Sequence, residues 1–330
     1  MHQDSLKGVI FRMITSRSNA SDVKILDTIN SIKEFINQNE DLIEQANIVD
    51  IRNDNGFKVN FKVFDRIFND IKKEELIYGR VISSEKDDQK KIIYGKQIDS
   101  VGNTVIVFDG NPYVLIEMTL KSILANNTVI FNYDGFMLGI NKLLMDFIQK
   151  ALEKNGLSKY QIQQFISNDG KELLMNYANV DLVIAIGSHD LQLDVLKNSY
   201  NKSITSGYEY FDIYVESEQH MDFIKKILDK NINLYVNEKI KMLDGIIVND
   251  IDEAISQINY NGARFGAAIF TDNADNASQF LREVKAQMVL VNTSPTFERI
   301  LDISLSDLIR TKTFIYPIEY KFDNTKITID

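Results

Sequence analysis

The sequence predicts an α/β fold built around a parallel sheet. From residue 104 onward, short β-branched or aromatic runs alternate with longer stretches of helical period. Such alternation is typical of parallel strands joined by right-handed helical crossovers. Hydrophobic residues make up 44% of the 330 positions and charged residues 25%, so a sizeable core is available and disorder is not expected. Ligands of such sheets bind in the loops that follow the strands.

Two helices and a hairpin are expected before the alternating region. Residues 21–50 have apolar positions near helical spacing, including Val23 and Leu26, and Ser21 is the expected N-cap. A second helix is expected over 57–78, where an aromatic stripe indicates a core face. After a polar break, KKIIYGKQIDSVGNTVIVF (90–108) changes to the pattern of a hairpin followed by a core strand.

The alternating region then predicts each element in turn. Strands are expected at 104–108, 128–131, 161–166, 181–186, 212–216, 245–249, 266–271 and 288–292. Helices are expected at 113–125, 138–155, 169–177, 189–197, 218–230, 250–260 and 273–284. The final residues, IEYKFDNTKITID, alternate polar and apolar positions like an edge strand.

Composition excludes several classes of function. The formal net charge is −10 and lysine and arginine do not cluster, which argues against a nucleic-acid partner. No stretch reaches the roughly 18 apolar residues of a membrane span, and the first residues lack a signal-peptide pattern, so a cytoplasmic location is expected. Cysteine is absent and the three histidines lack ligand spacing, so no disulfide and no metal site is predicted.

Several segments resemble one enzyme family. Residues 262–297 resemble the aldehyde dehydrogenase superfamily, with a G…AAIFT strand, a helix and a VN strand end. Further stretches resemble γ-glutamyl phosphate reductase (glutamate-5-semialdehyde dehydrogenase) of proline biosynthesis. They are NEDLIEQANIVDI (39–51), VIVFDGNPYVLIEMTLKSILANNTVIF (105–131), ANVDLVIAIGS (178–188), KSITSGYEYFDIYV (202–215) and NDIDEAISQINYNG (249–262). These pieces follow one another in order along nearly the whole chain.

The resemblance implies an aldehyde dehydrogenase-like architecture with a Rossmann-type parallel sheet. A nucleotide-binding-type domain would comprise residues 1–84 and 104–215, and a reduced remnant of the catalytic domain would comprise 216–313. Residues 85–103 with 314–330 would form a β oligomerisation flap, because the terminal strand resembles the arm that extends a neighbouring subunit's sheet. A homodimer through this flap is expected, and an active paralogue is a second candidate partner.

The chain departs from the family pattern at the nucleophile. The family's reaction depends on a cysteine thiolate, and this sequence has no cysteine. Between Val215 and Asp244 the chain is shorter than the pattern, in the region where the family carries its nucleophile loop. A rival alignment places Ile213–Val215 after the nucleophile and Gly207 at the cysteine position. Either alignment leaves the site without sulfur, so no catalytic residue is predicted.

The resemblance also indicates where a cofactor and a substrate would lie. The cofactor, NADP or NAD, would meet the loop Gly110, Asn111 and Pro112, then Asn132, which replaces a basic residue, and Gly187 with Ser188. Backbone N–H groups at Gly187 and Ser188 would receive a pyrophosphate at a helix N-terminus. An ordinary tight turn that needs a small residue is the favoured alternative, because the adjoining loops offer no arginine or lysine to the phosphates. Asn292 and Ser294 would face the substrate.

Three hypotheses about function remain open at this point. The first is a cysteine-less, catalytically inactive relative, a pseudoenzyme with a binding or regulatory role. The second is an NAD(P)-dependent oxidoreductase acting on an aldehyde or acyl phosphate without a cysteine nucleophile, and the third is a structural dimer module without a ligand. A crevice filled by Tyr113, Tyr133 or Phe136 would argue against a cofactor.

Overall fold

The structure is a computed structural model that describes thirteen segments of the chain. They are residues 6–16, 21–51, 58–72, 78–133, 137–167, 170–207, 211–221, 224–225, 232–240, 243–261, 266–286, 288–293 and 303–318. The helices are α1 Leu6–Thr15, α2 Asp22–Gln38, α3 Glu40–Ile51, α4 Phe61–Ile71, α5 Pro112–Leu124, α6 Leu138–Lys154, α7 Lys171–Met175, α8 His189–Asn198, α9 Ile251–Asn261 and α10 Ala274–Glu283.

The strands form three separate sheets. They are β1 Val81–Asp87, β2 Ile92–Ser100, β3 Asn103–Phe108, β4 Thr128–Asn132, β5 Ile162–Phe165, β6 Leu182–Ile186, β7 Ser203–Ser206, β8 Phe211–Val215, β9 Ile232–Asn237, β10 Ile246–Val248, β11 Gly266–Phe270, β12 Met288–Val291 and β13 Ile309–Pro317. Two sheets are parallel throughout, and the third is antiparallel. The predicted α/β class with a parallel sheet is confirmed.

The first sheet is doubly wound. Its strand order is β5-β4-β3-β6-β7, so the order reverses between β3 and β6. Side chains of β3 alternate between two cores, as the pleat of a strand requires. Ile106 and Phe108 pack in the core that holds α2, α4, α5 and α6. Val105 and Val107 pack against α1, α7 and α8 on the other face.

The second sheet repeats this arrangement. Its order is β10-β9-β8-β11-β12, which reverses between β8 and β11 in the same way. Helices α9 and α10 cover one face, where Ile255 and Phe280 pack on Tyr214 and Ile269. Each parallel sheet therefore has one point of strand reversal, and a crevice is expected at each of them.

The third sheet is the β flap, in the order β1-β2-β13. Asn127 joins the flap to the first sheet, because its Oδ1 accepts a hydrogen bond from the Gly102 N–H (2.8 Å) and its Nδ2 donates to the Leu308 carbonyl (2.7 Å). The flap was predicted over 85–103 and 314–330. The structure begins it earlier, at Val81, and β13 begins at Ile309, while residues 319–330 lie outside the described part.

Several expectations about individual elements need correction. The helix predicted over 21–50 is two helices, and Val23 and Leu26 are exposed while the buried face is formed by Ile25, Ile29, Ile32 and Ile36. The Ser21 side chain does cap α2. Helix α1 and strands β7 and β9 were not predicted, and most of the helix expected over 218–230 lies outside the described residues.

One strand belongs to a different sheet from the one expected. Residues up to 215 were grouped with the nucleotide-binding-type domain, yet β8 is the central strand of the second sheet. The physical reason is its pairing, since β8 bonds to β9 and β11 and to no strand of the first sheet. The division into domains otherwise stays a prediction.

Helix α6 receives its N-terminal cap from another helix. The Asp50 carboxylate accepts hydrogen bonds from the Gly139 N–H (3.0 Å) and the Ile140 N–H (2.9 Å). A carboxylate at a helix N-terminus satisfies otherwise unpaired N–H groups and interacts favourably with the helix dipole. This contact fixes α3 against the start of α6.

Among the described helices, none combines the length and apolarity that crossing a bilayer requires.

Replacing Gly266 with alanine should destabilise the second sheet. A Cβ atom at this position would lie 2.0 Å from Cε2 of Phe211, a ring buried on the neighbouring strand. Overpacking of this kind costs about 1–3 kcal/mol in the free energy of unfolding, which urea denaturation followed by circular dichroism would measure. The same substitution in a Phe211→Leu background should cost less. An equal cost in both backgrounds would contradict this account of the packing.

Candidate ligand site

A cleft lies at the carboxyl ends of β3, β4 and β6, where the first sheet reverses. Its volume is about 560 Å³, within the roughly 300–1,000 Å³ that is typical of small-molecule sites. Open α/β sheets bind their ligands at such a point of strand reversal. The cleft is lined by Val107, Phe108, Asp109, Asn132, Tyr133, Lys171, Ser188, Asp190, Leu191 and Asp194.

The loop after β3 is organised to start helix α5. The Asn111 Oδ1 accepts a hydrogen bond from the Tyr113 N–H (3.0 Å), and Pro112 takes the first helical position, which suits a residue without an N–H. Gly110 has a φ of +89°, and its carbonyl accepts from the Asn141 Nδ2 (2.5 Å). Contacts within the fold therefore account for these three predicted cofactor residues, and none of them lines the cleft.

Asn132 closes the cleft at the end of β4. Its side chain is buried, and Nδ2 donates to the carbonyls of Phe165 (2.7 Å) and Ser167 (3.0 Å). Its Oδ1 has no hydrogen-bond partner among the described residues. The predicted position of Asn132 beside the cleft agrees with the structure, and its amide presents no positive charge to a phosphate.

Most of the polar groups in the turn after β6 are hydrogen-bonded to other parts of the protein. The Gly187 N–H donates to the Ser206 carbonyl (3.1 Å), and the Gly187 carbonyl accepts from the Gln192 Nε2 (2.9 Å). The Ser188 Oγ accepts from the Leu191 N–H (3.1 Å) and caps α8. A Cβ on Gly187 would lie 3.2 Å from the Leu191 side chain. Ser188 lines the cleft as expected, but the Gly187 N–H is not available to a pyrophosphate.

Tyr133 and Tyr113 occupy different places. The Tyr133 ring lines the cleft beside Phe108, with 5.1 Å between the ring centroids, and its hydroxyl donates to the Gln164 Oε1 (3.1 Å). Burial, followed by the Asp50 charge, raises the pKa of Tyr133. Tyr113 packs on Phe64 instead, away from the cleft. Phe136 lies outside the described residues. Tyr133 therefore forms a wall and leaves the space open.

The charge of the lining is mainly negative. Asp109, Asp190 and Asp194 contribute three carboxylates, and Lys171 is the single basic residue among the described residues of the lining. Lys171 forms an ion pair with Asp194, and Asn198 Nδ2 donates to the same carboxylate (2.7 Å). The hydrogen bond from Lys171 lowers the pKa of Asp194. The cation that the described residues place at the cleft is therefore paired with a carboxylate.

The charges of the described lining do not favour a dinucleotide. A pyrophosphate needs free N–H donors or cations, whereas here the Gly187 N–H is bonded, Lys171 is paired and three carboxylates face the same space. We therefore assign no chemical step to NADP or NAD.

The described part of the chain also contains no cluster of three or more histidine, aspartate or glutamate side chains suited to a metal ion.

The crevice of the second sheet contains the substrate-side position Asn292. Its Oδ1 accepts from the Thr271 N–H (3.0 Å), and its Nδ2 donates to the Thr271 carbonyl (2.9 Å). The Thr271 hydroxyl and the Asn276 Nδ2 both donate to Glu216. Asn292 therefore fixes the loop after β11, and both its amide oxygen and its amide nitrogen are hydrogen-bonded within the protein. Ser294 lies outside the described residues.

Gly207 is the position that the rival alignment matches to the nucleophile. It follows β7 and packs tightly, because an added Cβ would lie 2.2 Å from the Gln192 Nε2 and 3.2 Å from the Gly187 carbonyl oxygen. Any side chain there would displace Gln192 from its hydrogen bond with Gly187. The structure brings Gly207, Gly187 and Ser188 close together, and the Gln192 amide occupies the place of a side chain at residue 207.

The charged residues of the cleft were not predicted as site residues. Asp109 and Asp190 lie next to the strand ends that were predicted, so their position was a usable signal. Lys171 and Asp194 lie on helices α7 and α8, 23 positions apart, and their pairing depends on how those helices pack. No spacing rule in the sequence indicates that contact.

Removing the Lys171 charge should raise the pKa of Asp194. Because the folded-state pKa is lowered, the stabilisation from this pair is present above the ordinary carboxyl pKa and is lost as the pH falls through the lowered value. A carboxyl NMR titration of Lys171→Met should therefore show a higher midpoint for Asp194 than the unmodified protein shows. Lys197→Met, on the same helix as Asp194, serves as the control and should leave it unchanged. An unchanged midpoint in Lys171→Met would contradict the assigned contact.

Comparison with known proteins finds distant similarity in sequence and a shared fold. No model of a known protein family matches it. It is 25% identical over 264 residues to the γ-glutamyl phosphate reductase of Clostridium botulinum (strain Eklund 17B), covering 62% of this chain and 64% of that relative. It is 22% identical over 358 aligned positions to that of Petrotoga mobilis, covering 87% and 85% of the two chains.

Solved structures show the same fold. The γ-glutamyl phosphate reductase of Thermotoga maritima aligns with a TM-score of 0.65 at 20% identity, covering 96% of this chain and 98% of that one. An acetylating aldehyde dehydrogenase from Geobacillus thermoglucosidasius gives 0.71 at 11% identity, covering 96% and 97%. The chain therefore has the α/β fold of aldehyde dehydrogenase-like structures, and its sequence is similar to proteins named γ-glutamyl phosphate reductase.

Proposed function

We propose that the chain is a relative of γ-glutamyl phosphate reductase that does not carry out a cysteine-dependent reduction and instead has a binding or regulatory role. The observation that carries this proposal is the absence of cysteine from all 330 residues. A thiolate attacks an aldehyde or acyl phosphate carbon and later leaves easily, and a hydroxyl needs an activating base to do the same. Loss of the nucleophile removes the covalent step.

The environment of the available hydroxyls supports the proposal. The Ser188 Oγ lies in the ligand cleft but serves as the N-cap of α8, accepting from the Leu191 N–H. Ser206 is buried at the end of β7. Neither position offers an exposed, activated oxygen of the kind that replaces a thiolate in covalent catalysis.

The connection between β8 and β9 also supports a reduced catalytic domain. The two strands pair directly, from Phe211 with Ile232 to Val215 with Val236, and only residues 216–231 connect them. Under the resemblance described above, this is the region where the family carries its nucleophile loop. We propose that residues 216–313 are the shortened remnant of that domain.

We further propose that the β flap joins two copies of the chain. Strands β1 and β13 are the two outer strands of the three-stranded flap, and each has one unpaired edge within the described part of the chain. Four large apolar side chains on these two strands are exposed, namely Val81, Ile82, Ile315 and Tyr316. Open edges with apolar side chains favour pairing with another chain. An active paralogue would use the same edges.

A turnover assay tests the loss of activity. Protein purified from a host that lacks its own γ-glutamyl phosphate reductase should not oxidise NADPH or NADH with an acyl phosphate, nor reduce NADP with the corresponding aldehyde and phosphate. Absorbance of the reduced nicotinamide measures both directions, and an active homologue assayed in parallel is the control. Turnover on the order of 1 per second or faster, as in ordinary enzymes, would refute the proposal in favour of the oxidoreductase alternative.

The oligomeric state tests the role of the flap. Light scattering after size-exclusion chromatography should give the mass of a dimer, and Ile315→Lys should shift it toward a monomer because it places a charge on the apolar edge. Leu281→Lys, on the exposed side of α10, is the matched control and should remain dimeric. A monomeric unmodified protein, or a dimer that Ile315→Lys leaves intact, would exclude this interface.

A further inference from the structure

We propose that Asn155 is a site of spontaneous deamidation whose rate is set by the opening of the last turn of α6. This inference is independent of the proposed function. Asparagine is chemically labile, and a following glycine has no side chain to hinder attack by its backbone nitrogen. Asn155 precedes Gly156, which is exposed to water. The other two Asn-Gly pairs, 55–56 and 261–262, lie wholly or partly outside the described residues.

The reaction joins a backbone nitrogen to a side-chain carbon. The Gly156 nitrogen bonds to the Asn155 Cγ, the Cγ–Nδ2 bond breaks, and Nδ2 leaves as ammonia with the proton of the Gly156 amide. Water then opens the five-membered imide and gives aspartate or isoaspartate at position 155. No oxidant or reductant is consumed, so the geometry of the turn decides whether the folded protein reacts.

The end of α6 holds the attacking nitrogen away from the amide. Gly156 has a φ of +70°, and its N–H donates to the Glu153 carbonyl (3.0 Å). The Leu157 N–H donates to the Leu152 carbonyl (2.9 Å), and the two bonds together form a Schellman motif. The ψ of Asn155 is 12°, so the Gly156 nitrogen nearly eclipses the backbone nitrogen of Asn155. The attacking nitrogen is therefore bonded elsewhere and turned away from the Cβ that carries the amide.

The amide itself is held by two further hydrogen bonds. The Asn155 Nδ2 donates to the Ala151 carbonyl (2.8 Å) and to the Oγ of Ser31 on α2 (3.2 Å). The folded turn thus restrains both reacting groups, and deamidation proceeds through molecules in which this turn has opened. Local opening of a helix end costs less free energy than unfolding of the whole protein. The product has no N–H to donate to the Ala151 carbonyl, so the change removes a contact that helps to end α6.

Peptide mapping by mass spectrometry tests this proposal. The protein and a synthetic peptide of residues 151–160, ALEKNGLSKY, are incubated at mildly alkaline pH, and loss of the Asn155 amide is followed over time. The folded chain should react at least about tenfold more slowly than the peptide, because only the opened fraction reacts. Ser31→Ala should raise the rate in the folded chain about threefold, because it removes one restraint on the amide. Asn30→Ala, at an exposed position next to Ser31 on α2, is the matched control and should leave the rate unchanged.

Urea separates local opening from global unfolding. Below the unfolding transition, the rate should rise less steeply with urea than the unfolded fraction does, because opening one turn exposes little surface. A folded chain that reacts as fast as the peptide, or that does not react at all, would overturn the proposal. A urea dependence equal to that of global unfolding, or an unchanged rate in Ser31→Ala, would overturn it as well. Thermal unfolding of each variant checks that it is folded.

Discussion

The rest of the structure depends on one pairing in each parallel sheet. At the point where the strand order reverses, the central strand pairs in parallel with a strand that comes later in the chain. In the first sheet β3 pairs with β6, and in the second β8 pairs with β11. After the two strands of each pair, the chain turns toward opposite faces of the sheet. One helix therefore cannot cover both of their carboxyl ends. The positions of both crevices follow from this pairing, before any side chain in them is considered.

The side chains then decide what each crevice does. In the second sheet, Glu216 accepts from Thr271 and Asn276, and Asn292 bridges the Thr271 backbone, so the polar groups there satisfy one another. In the first sheet, Asp109, Asp190 and Asn132 line an open volume of about 560 Å³. The same topology therefore gives an open crevice in each sheet, of about 560 Å³ in the first and about 670 Å³ in the second, with different polar linings.

Much of the architecture could be predicted because it depends on local pattern. The period of apolar residues indicated β3, β6 and α5 to within one or two residues, and the Ser21 cap followed from its position before α2. Strand β9 was missed because INLYVN is short and follows a polar stretch, and β8 was grouped wrongly because sheet membership depends on long-range pairing. The buried face of α2 was misassigned because Val23 and Leu26 lie at helical spacing yet point to solvent.

The sequence predicted where the cleft lies in the fold, but it did not predict the charges and hydrogen bonds of the lining. Asn132 and Ser188 line the cleft as expected, whereas Gly110, Asn111 and Pro112 are used to start α5. A sequence resemblance predicts which positions line a site. It does not show that the Gly187 N–H is bonded to the Ser206 carbonyl or that Lys171 is paired with Asp194. Those contacts form between segments far apart in sequence, so no local pattern indicates them.

We propose that the scaffold persists in this chain without covalent chemistry, and intact-protein mass spectrometry tests this most directly. After incubation with an acyl phosphate and no reductant, the protein mass should stay that of the unmodified chain. An added mass equal to the acyl group, removable by hydroxylamine, would show that another side chain has replaced the sulfur and would contradict the claim.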